Sequence, residues 1–273
     1  MGEQLSELAA LQSVLDAMDR IAVAVSGGVD SLTLAAYAHR LLPERVTMFH
    51  AVSPAVPGEG TQRTRELAAR EGWSLHVIDA GEFDNENYRA NPVNRCFYCK
   101  TSLYGAIRPL TQAQVVSGTN LDDLGEFRPG LIAAKEHGVR HPFVEAAMGK
   151  GKVRALAREL GLGEVAELPS SPCLSSRVET GIAIDPRVLA SIHATERRVA
   201  AELAPRTVRC RVRASAIVVE LDEACLQHLD EVRTHALVEV VRDIFSTTHA
   251  RAEVRFEPYR IGSAFLHFKP LNT

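Results

Sequence analysis

The segment SGGVDS at residues 26–31 carries groups that suit a phosphate. It consists of Ser26, Gly27, Gly28, Val29, Asp30 and Ser31. Glycine backbone can approach phosphate oxygens because no Cβ intervenes, and amides at a helix start add partial positive charge. The serine hydroxyls can donate hydrogen bonds, and Asp30 can bind Mg²⁺ or cap the helix. The segment lacks the lysine of a Walker loop, so we expect an ATP-binding loop of another kind. A capped strand-to-helix turn without a ligand is the alternative.

Three cysteines form a second candidate site. Cys96 and Cys99 stand at CxxC spacing with basic residues on both sides, so both thiols can face one metal ion or cluster. Cys173 lies in a polar, proline-containing segment, where a thiol followed by Arg177 is a candidate nucleophile or ligand. The CxxC alone leaves open a zinc site, a redox pair or iron–sulfur ligation. Three cysteines with one open iron position would suit a reactive 4Fe–4S cluster, and three small buried thiols are the alternative.

Three arginines alternate along a strand-like segment, at Arg209, Arg211 and Arg213. Strand geometry places alternate side chains on one face. A row of guanidinium groups suits a nucleotide phosphate, which it can bind bidentately. A solvated charged face is the alternative.

Strand-like and helical segments alternate through the first two-thirds of the chain. This pattern predicts βαβ units and a parallel sheet covered on both faces. Strands are expected at 21–25, 46–52, 74–78 and 115–117, and helices at the N-terminus, at 32–42 and at 63–71.

Ligands of such sheets bind at the carboxyl ends of the strands. The loops at 26–31, 50–54 and 118–123 would lie there. This arrangement places Gly118 and the carboxylates of Asp122 and Asp123 at the predicted ATP site. Those carboxylates can bind Mg²⁺ or position ATP, and a capped turn is the alternative.

The pattern changes near residue 180. A helix is expected at 187–203 after the start signal Asp185–Pro186, then a strand or hairpin, one long helix at 223–245 and a last strand at 252–256. We therefore predict an α/β fold with two domains. Residues 1–180 would form a parallel-sheet ATP-binding domain, and residues 181–273 a smaller α+β domain for substrate binding or oligomerisation.

Composition limits the functional classes. The 273 residues carry a formal net charge of −3, so no global basic field would hold a long nucleic acid. No apolar run approaches the roughly 18 residues needed to cross a bilayer, and the N-terminus lacks a basic signal region. Five cysteines in a chain of this size do not suggest a disulfide framework. These features predict a soluble cytoplasmic protein with no membrane partner.

The chain resembles the LarE family, whose members are ATP-dependent sulfur transferases that build the nickel-pincer nucleotide cofactor of lactate racemase. The glycine loop resembles the PP-loop of ATP pyrophosphatases, which split ATP between its α and β phosphates. Four segments carry the resemblance: SGGVDS at 26–31, NRCFYCK at 94–100, GTNLDDLGEFRPG at 118–130 and PCLSSRVETG at 172–181. The C-terminal third is similar more loosely, through the arginine row and EPYRIGS at 257–263.

The resemblance implies a small-molecule substrate, a pyridinium dicarboxylate mononucleotide. ATP would adenylate its carboxylate, and Cys173 would then attack the acyl-adenylate and displace AMP. Arg177 and loop amides would stabilise charge on the attacked carbonyl. Some members give up their own cysteine sulfur and leave dehydroalanine. Others resemble tRNA thiolases, in which three cysteines hold a 4Fe–4S cluster with an extra sulfide. The presence of Cys96 and Cys99 beside Cys173 favours the second group.

The family pattern adds two weaker ligand candidates, Glu196 and Arg260, and implies a homo-oligomer. Other functions remain open. A tRNA 2-thiolation enzyme would be expected to carry an RNA-binding module or a broad basic surface, and neither is visible. A synthetase or amidotransferase partner would leave the cysteines without a role. A non-catalytic metal or cluster carrier would not consume ATP.

Overall fold

The computed structural model describes residues 2–125, 128–169 and 172–265, without the side chains of residues 2–5. Residues 126–127 of the predicted 118–130 segment, and the last residues of the predicted second domain, lie outside that range.

The described chain divides into two compact units. One contains residues 2–85 and 94–169, and the other contains residues 86–93 and 172–265. Relative to the predicted domains, the segments 86–93 and 172–180 fall in the second unit.

The first unit is an α/β structure built on one parallel sheet, as predicted. Its strands are β1 (Ile21–Val25), β2 (Val46–Val52), β3 (Leu75–Asp79) and β4 (Gln114–Ser117). Its helices, numbered along the whole chain, are α1 (Gly2–Asp16), α2 (Val29–Leu41), α3 (Gly58–Glu71), α5 (Arg95–Ile107), α6 (Pro129–Glu136), α7 (Pro142–Glu145) and α8 (Lys150–Glu159). The strand order is β3–β2–β1–β4, and every pairing is parallel.

Strand β1 is buried on both faces, because successive side chains point to opposite sides of the sheet. On one side, Ile21, Val23 and Val25 pack in a core with residues of α1, α2 and α8. On the other, Ala22 and Ala24 pack in a core with residues of α5 and α6. The small alanines and branched residues therefore form the middle of a three-layer unit.

Two helices begin earlier than their apolar pattern predicts. Helix α2 begins at Val29, directly after the glycine pair, and α3 begins at Gly58 after Pro57. Glycine has a low helix propensity, so residues 58–60 do not look helical in the sequence. Helix α3 contacts the glycine loop through Gly60 and Arg63, which are distant from that loop in sequence, and the local pattern does not include this contact.

The second unit is a smaller α+β structure. Its strands are β5 (Val208–Val212), β6 (Ala216–Leu221) and β7 (Glu253–Pro258). Its helices are α4 (Glu86–Arg89), α9 (Pro186–Leu203), α10 (Glu223–Gln227) and α11 (Glu231–Ile244). Strands β5 and β6 form the predicted hairpin, and β7 adds parallel to β6. The predicted start of α9 is confirmed, since the Asp185 carboxylate accepts the Arg187 N–H at 2.7 Å.

The prediction of one helix over residues 223–245 is wrong. The chain forms α10 and α11 instead, separated by residues 228–230. Asp230 has extended backbone and caps α11 by accepting the Arg233 N–H at 2.8 Å. An aspartate that caps a new helix cannot also continue the preceding one, because its backbone is not helical.

None of the helices among the described residues is both long and apolar enough to cross a membrane.

Candidate functional site

The first unit contains a crossover point of the kind that binds ligands in open α/β sheets. From β1 the chain proceeds through β2 to β3, and it then returns to place β4 on the other side of β1. Ala24 of β1 pairs with Ser117 of β4, so these two strands end side by side. The loops that leave them therefore diverge from one edge of the sheet. The glycine loop and the segment 118–123 meet there, as expected from the sequence.

The glycine loop depends on the absence of side chains. Gly27 has φ +80°, and a Cβ added to it would lie 2.6 Å from the carbonyl oxygen of Gly60 in α3. Arg63, also in α3, donates to the Gly27 carbonyl oxygen at 2.8 Å. Gly28 is the N-cap residue of α2. Helix α3 thus fixes the loop by close backbone contact and by one charged hydrogen bond.

The two serines of the loop bond to each other and to the backbone. The Ser31 hydroxyl accepts the Ser26 N–H at 3.0 Å and donates to the Gly28 carbonyl at 3.2 Å. The two hydroxyl oxygens are 3.1 Å apart. Ser31 is buried and Ser26 is exposed, so Ser26 is the better placed of the two to meet a ligand.

Gly118 allows the end of β4 to approach the start of α2. An added Cβ would lie 2.7 Å from both the carbonyl carbon of Asp30 and the backbone nitrogen of Ser31. Both neighbours are backbone atoms, which cannot rotate away as the end of a flexible side chain can. The close contact explains the glycine sterically, and ligand binding by Gly118 stays a prediction.

We expect Gly118→Ala to displace the glycine loop and to lower the free energy of unfolding by about 1–3 kcal/mol, because overpacking forces the backbone apart. Urea denaturation measures the free energy of unfolding, and ATP titration measures whether the displaced glycine loop binds the nucleotide more weakly. Gly105→Ala is the matched control, since nothing lies within 4 Å of a Cβ at that helical position. The control should be neutral or stabilising. Equal stability of the two variants would contradict the steric argument.

A polar cluster surrounds Asp30 on the first turn of α2. Its carboxylate forms an ion pair with the Lys150 ammonium and accepts a hydrogen bond from the Asn120 amide at 3.4 Å. The Asp122 carboxylate accepts the backbone N–H of Lys150. Both aspartates were predicted from the sequence, whereas Lys150 and Asn120 were not. The local signal for Lys150 was the Gly-Lys-Gly-Lys run at 149–152.

His50 is a third residue near the site that the sequence did not predict. It is fully buried in β2, with Nδ1 2.9 Å from the Val25 carbonyl oxygen and Nε2 2.9 Å from the Thr61 hydroxyl. A carbonyl only accepts, so Nδ1 carries the proton and Nε2 can accept from Thr61. Burial lowers the pKa of His50, which favours this neutral form. The ring therefore links the end of β1 to α3 without adding charge.

The CxxC pair lies on the first turn of α5. Cys96 is exposed and Cys99 is half-buried. Residues three apart on a helix are neighbours, so both thiols occupy one helix face that a metal can reach. Within each unit, the described residues contain no group of three or more His, Cys, Asp or Glu side chains placed to bind one metal ion. The predicted three-cysteine ligand set stays a prediction.

Cys173 lies in the second unit, just before the short 3₁₀ helix Leu174–Arg177. It is half-buried. Arg177 is 2% exposed and donates from Nη1 to the carbonyl oxygens of Pro172 at 2.6 Å and Cys173 at 3.2 Å. These bonds hold the backbone that carries the thiol.

Glu196, on α9, binds the other side of the Arg177 guanidinium. Its carboxylate accepts from Nε at 3.0 Å and from Nη2 at 3.2 Å, and it also accepts the backbone N–H of Cys210 at 3.0 Å. Cys210 is fully buried, and burial raises the pKa of its thiol. The visible role of the Arg177–Glu196 pair is to join three segments of the unit. Direct ligand contact by either residue stays a prediction.

The arginine row is paired with a buried glutamate. Glu220 of β6, fully buried, binds Arg211 at 2.9 Å and Arg213 at 3.1 Å, so its single negative charge offsets part of their positive charge. Arg209 lies across from Glu220 in the hairpin and packs over the Tyr259 ring at 6.0 Å.

Arg260, just past β7, is exposed, and its carbonyl oxygen accepts from Arg211 at 3.4 Å. Phosphate binding by the row, and ligand binding by Arg260, stay predictions.

Comparison with known proteins adds three relatives, and no family model matches the chain. An uncharacterized protein of Synechocystis sp. is 38% identical over 180 residues, which are 64% of this chain and 67% of the relative. The pyridinium-3,5-bisthiocarboxylic acid mononucleotide synthase of Lactiplantibacillus plantarum is 29% identical over 229 residues, or 82% of each chain. An uncharacterized protein of Methanocaldococcus jannaschii is 29% identical over 164 residues, which are 59% of this chain and 61% of that protein.

Proposed function

Because the chain belongs to the same family as the Synechocystis protein and is similar over most of its length to the Lactiplantibacillus synthase, we propose that it is a LarE-type, ATP-dependent sulfur transferase. Its substrate would be a pyridinium dicarboxylate mononucleotide, and its product the thiocarboxylate.

The observation that carries the proposal is the glycine loop at the crossover of the parallel sheet. A Cβ on Gly27 would collide with the backbone of α3, and a Cβ on Gly118 would collide with the backbone at the start of α2, so backbone packs closely around the glycine loop. Such an edge, followed by a helix N-terminus, is suited to a nucleotide phosphate. The named relative supplies the substrate class, which the loop alone does not specify.

Mg²⁺ fits the donor groups beside the loop. Asp30 and Asp122 offer carboxylates, the ligands that this ion prefers, and Asp30 already contacts a cation, the Lys150 ammonium. When bound there with ATP, the ion would neutralise phosphate charge. The loop amides and the Ser26 hydroxyl would orient the nucleotide.

The proposed reaction has two steps that balance. A substrate carboxylate oxygen attacks the α-phosphorus of ATP, pyrophosphate leaves, and an acyl-adenylate forms. A sulfur nucleophile then attacks the acyl carbon and AMP leaves. Adenylation is needed because a carboxylate anion resists attack and has no good leaving group. Cys173 is the proposed thiol for the second step, and the bonds of Arg177 to the backbone at 172–173 support a positioning role for that arginine.

The source of the transferred sulfur has two forms within the proposal. In one, the Cys173 Sγ forms a thioester, and elimination of the Cβ–Sγ bond with loss of the Cα proton leaves dehydroalanine and the thiocarboxylate. In the other, Cys96, Cys99 and Cys173 would hold a 4Fe–4S cluster, which would supply an extra sulfide as the nucleophile. The accessible positions of Cys96 and Cys99 on one helix face fit two ligands of such a cluster.

The test is AMP release and thiocarboxylate formation from ATP, Mg²⁺ and the dicarboxylate mononucleotide under anaerobic conditions. We expect Asp30→Asn to lower AMP formation by about 100-fold, as is typical when one transition-state charge contact is lost. Asp19→Asn is the control, because Asp19 precedes β1 and lies at the opposite end of that strand.

Normal AMP formation by Asp30→Asn would exclude the carboxylate from the reaction. AMP release with tRNA, or amide formation from ammonia, in place of thiocarboxylate would reject the proposed substrate and chemistry. A wild-type protein that consumes no ATP would instead be a carrier.

A further inference from the structure

The start of α8 is pinned beside the segment that follows β4. The Leu121 N–H donates to the Met148 carbonyl at 3.1 Å, and the Asp122 carboxylate accepts the Lys150 N–H. A Cβ on Gly149 would lie 2.9 Å from the Asp122 carboxylate, so a glycine permits this approach. The backbone that carries Lys150 therefore has a defined position at the ATP edge of the sheet.

The side chain of Lys150 extends from this backbone to Asp30. The two residues are 120 positions apart in sequence, and α2 and α8 pack together in one core. The ammonium thus reaches the first turn of the helix that follows the glycine loop. The side chains remain 35% exposed for Lys150 and 25% for Asp30, so the pair is accessible to a ligand.

The charges at this edge of the sheet indicate a role for the Lys150 ammonium other than stabilising the fold. ATP is polyanionic, and Asp30 and Asp122 already place carboxylates near its expected position, whereas Asp123 is paired with Arg128 at 2.8 Å. A half-exposed ion pair contributes little to stability, since solvent screens it. Lysine is a compact charge on a flexible stem, so its ammonium can leave a carboxylate for a nearby phosphate oxygen.

We propose that Lys150 binds the pyrophosphate portion of ATP, and that its ion pair with Asp30 holds both groups in place until the nucleotide and its metal ion bind. This role rests on the proposed function and assigns a phosphate ligand within it. In the free protein the Lys150 ammonium forms an ion pair with the Asp30 carboxylate. In the complex the ammonium bonds the β and γ phosphates, and the carboxylate is released for Mg²⁺.

Two binding measurements on the full chain test this exchange, and neither needs turnover. Calorimetric titration with inorganic pyrophosphate should show Lys150→Gln binding about 10- to 100-fold more weakly than the wild type, the range for a lost charged hydrogen bond. Titration with Mn²⁺ alone, followed by electron paramagnetic resonance, should show tighter binding by Lys150→Gln because Asp30 has lost its competing cation. Lys150→Arg should recover part of the pyrophosphate affinity.

Lys152→Gln is the matched control. Lys152 lies on the same helix turn but pairs with Glu7 at 3.0 Å, so it makes the same charge change away from Asp30. The control should bind both probes within about twofold of wild type, because Lys152 pairs with Glu7 and solvent screens a charge that does not contact the site. If Lys150→Gln binds pyrophosphate as the control does, the phosphate role is overturned. If its Mn²⁺ affinity is unchanged, the holding role is overturned. A wild-type chain that binds neither pyrophosphate nor ATP would contradict the proposed function itself.

Discussion

Cys173→Ser should abolish thiocarboxylate formation and the AMP release that accompanies it, and should leave ATP binding and pyrophosphate release in place. A serine hydroxyl is a much weaker nucleophile and metal ligand than a thiol at neutral pH, so the second step fails with either source of sulfur. The proposed first step, which releases pyrophosphate at the glycine loop of the other unit, does not need this thiol. The measurement is thiocarboxylate, AMP and pyrophosphate in the same reaction, quantified by mass spectrometry.

The matched control is Cys225→Ser, since Cys225 is also half-buried and in the same unit. This control should keep full sulfur transfer. Normal transfer by Cys173→Ser would remove Cys173 from the mechanism, whatever the fate of ATP.

The mass of the wild-type chain after turnover separates the two sources of sulfur. A loss of about 34 Da at Cys173 indicates a sacrificial cysteine that becomes dehydroalanine. An unchanged mass, together with inactive Cys96→Ser and Cys99→Ser variants, indicates a cluster-borne sulfide.

Glu196→Ala should strongly destabilise the protein, with a loss of about 3–5 kcal/mol in the free energy of unfolding. The substitution removes the carboxylate that pairs with the buried Arg177 guanidinium and that accepts the Cys210 N–H. An uncompensated buried charge cannot recover its hydration, and this loss dominates the cost. Urea denaturation followed by circular dichroism measures it.

Glu202→Ala on the same helix is the comparison. Glu202 pairs with Arg198 one turn away at 3.3 Å, but both side chains are largely solvated at 36% and 57% exposure. Its removal should cost less than about 1 kcal/mol. Similar losses for the two variants would mean that the Arg177–Glu196 pair contributes no more than a surface ion pair.

Local sequence patterns predicted much of the fold. The five apolar residues of β1, followed directly by two glycines, specified a buried strand and a phosphate-type loop, and β1 forms over the predicted residues. The cap at Asp185 and the hairpin after residue 207 were equally local signals. Such features depend on side-chain period, glycine conformation and capping, which neighbouring residues determine.

Other features depend on residues that are distant in sequence. The Lys150–Asp30 and Arg177–Glu196 pairs, and the steric need for Gly118, follow from how helices and strand ends pack. The break between α10 and α11 has a local cause instead, the cap at Asp230, which the apolar pattern of residues 223–245 obscured.

Amino-acid order alone thus specified the strand-and-glycine framework on which the nucleotide proposal rests. Folding in three dimensions then determined which charges neutralise one another, because Coulomb and steric energies depend on the distance between atoms and not on their separation along the chain.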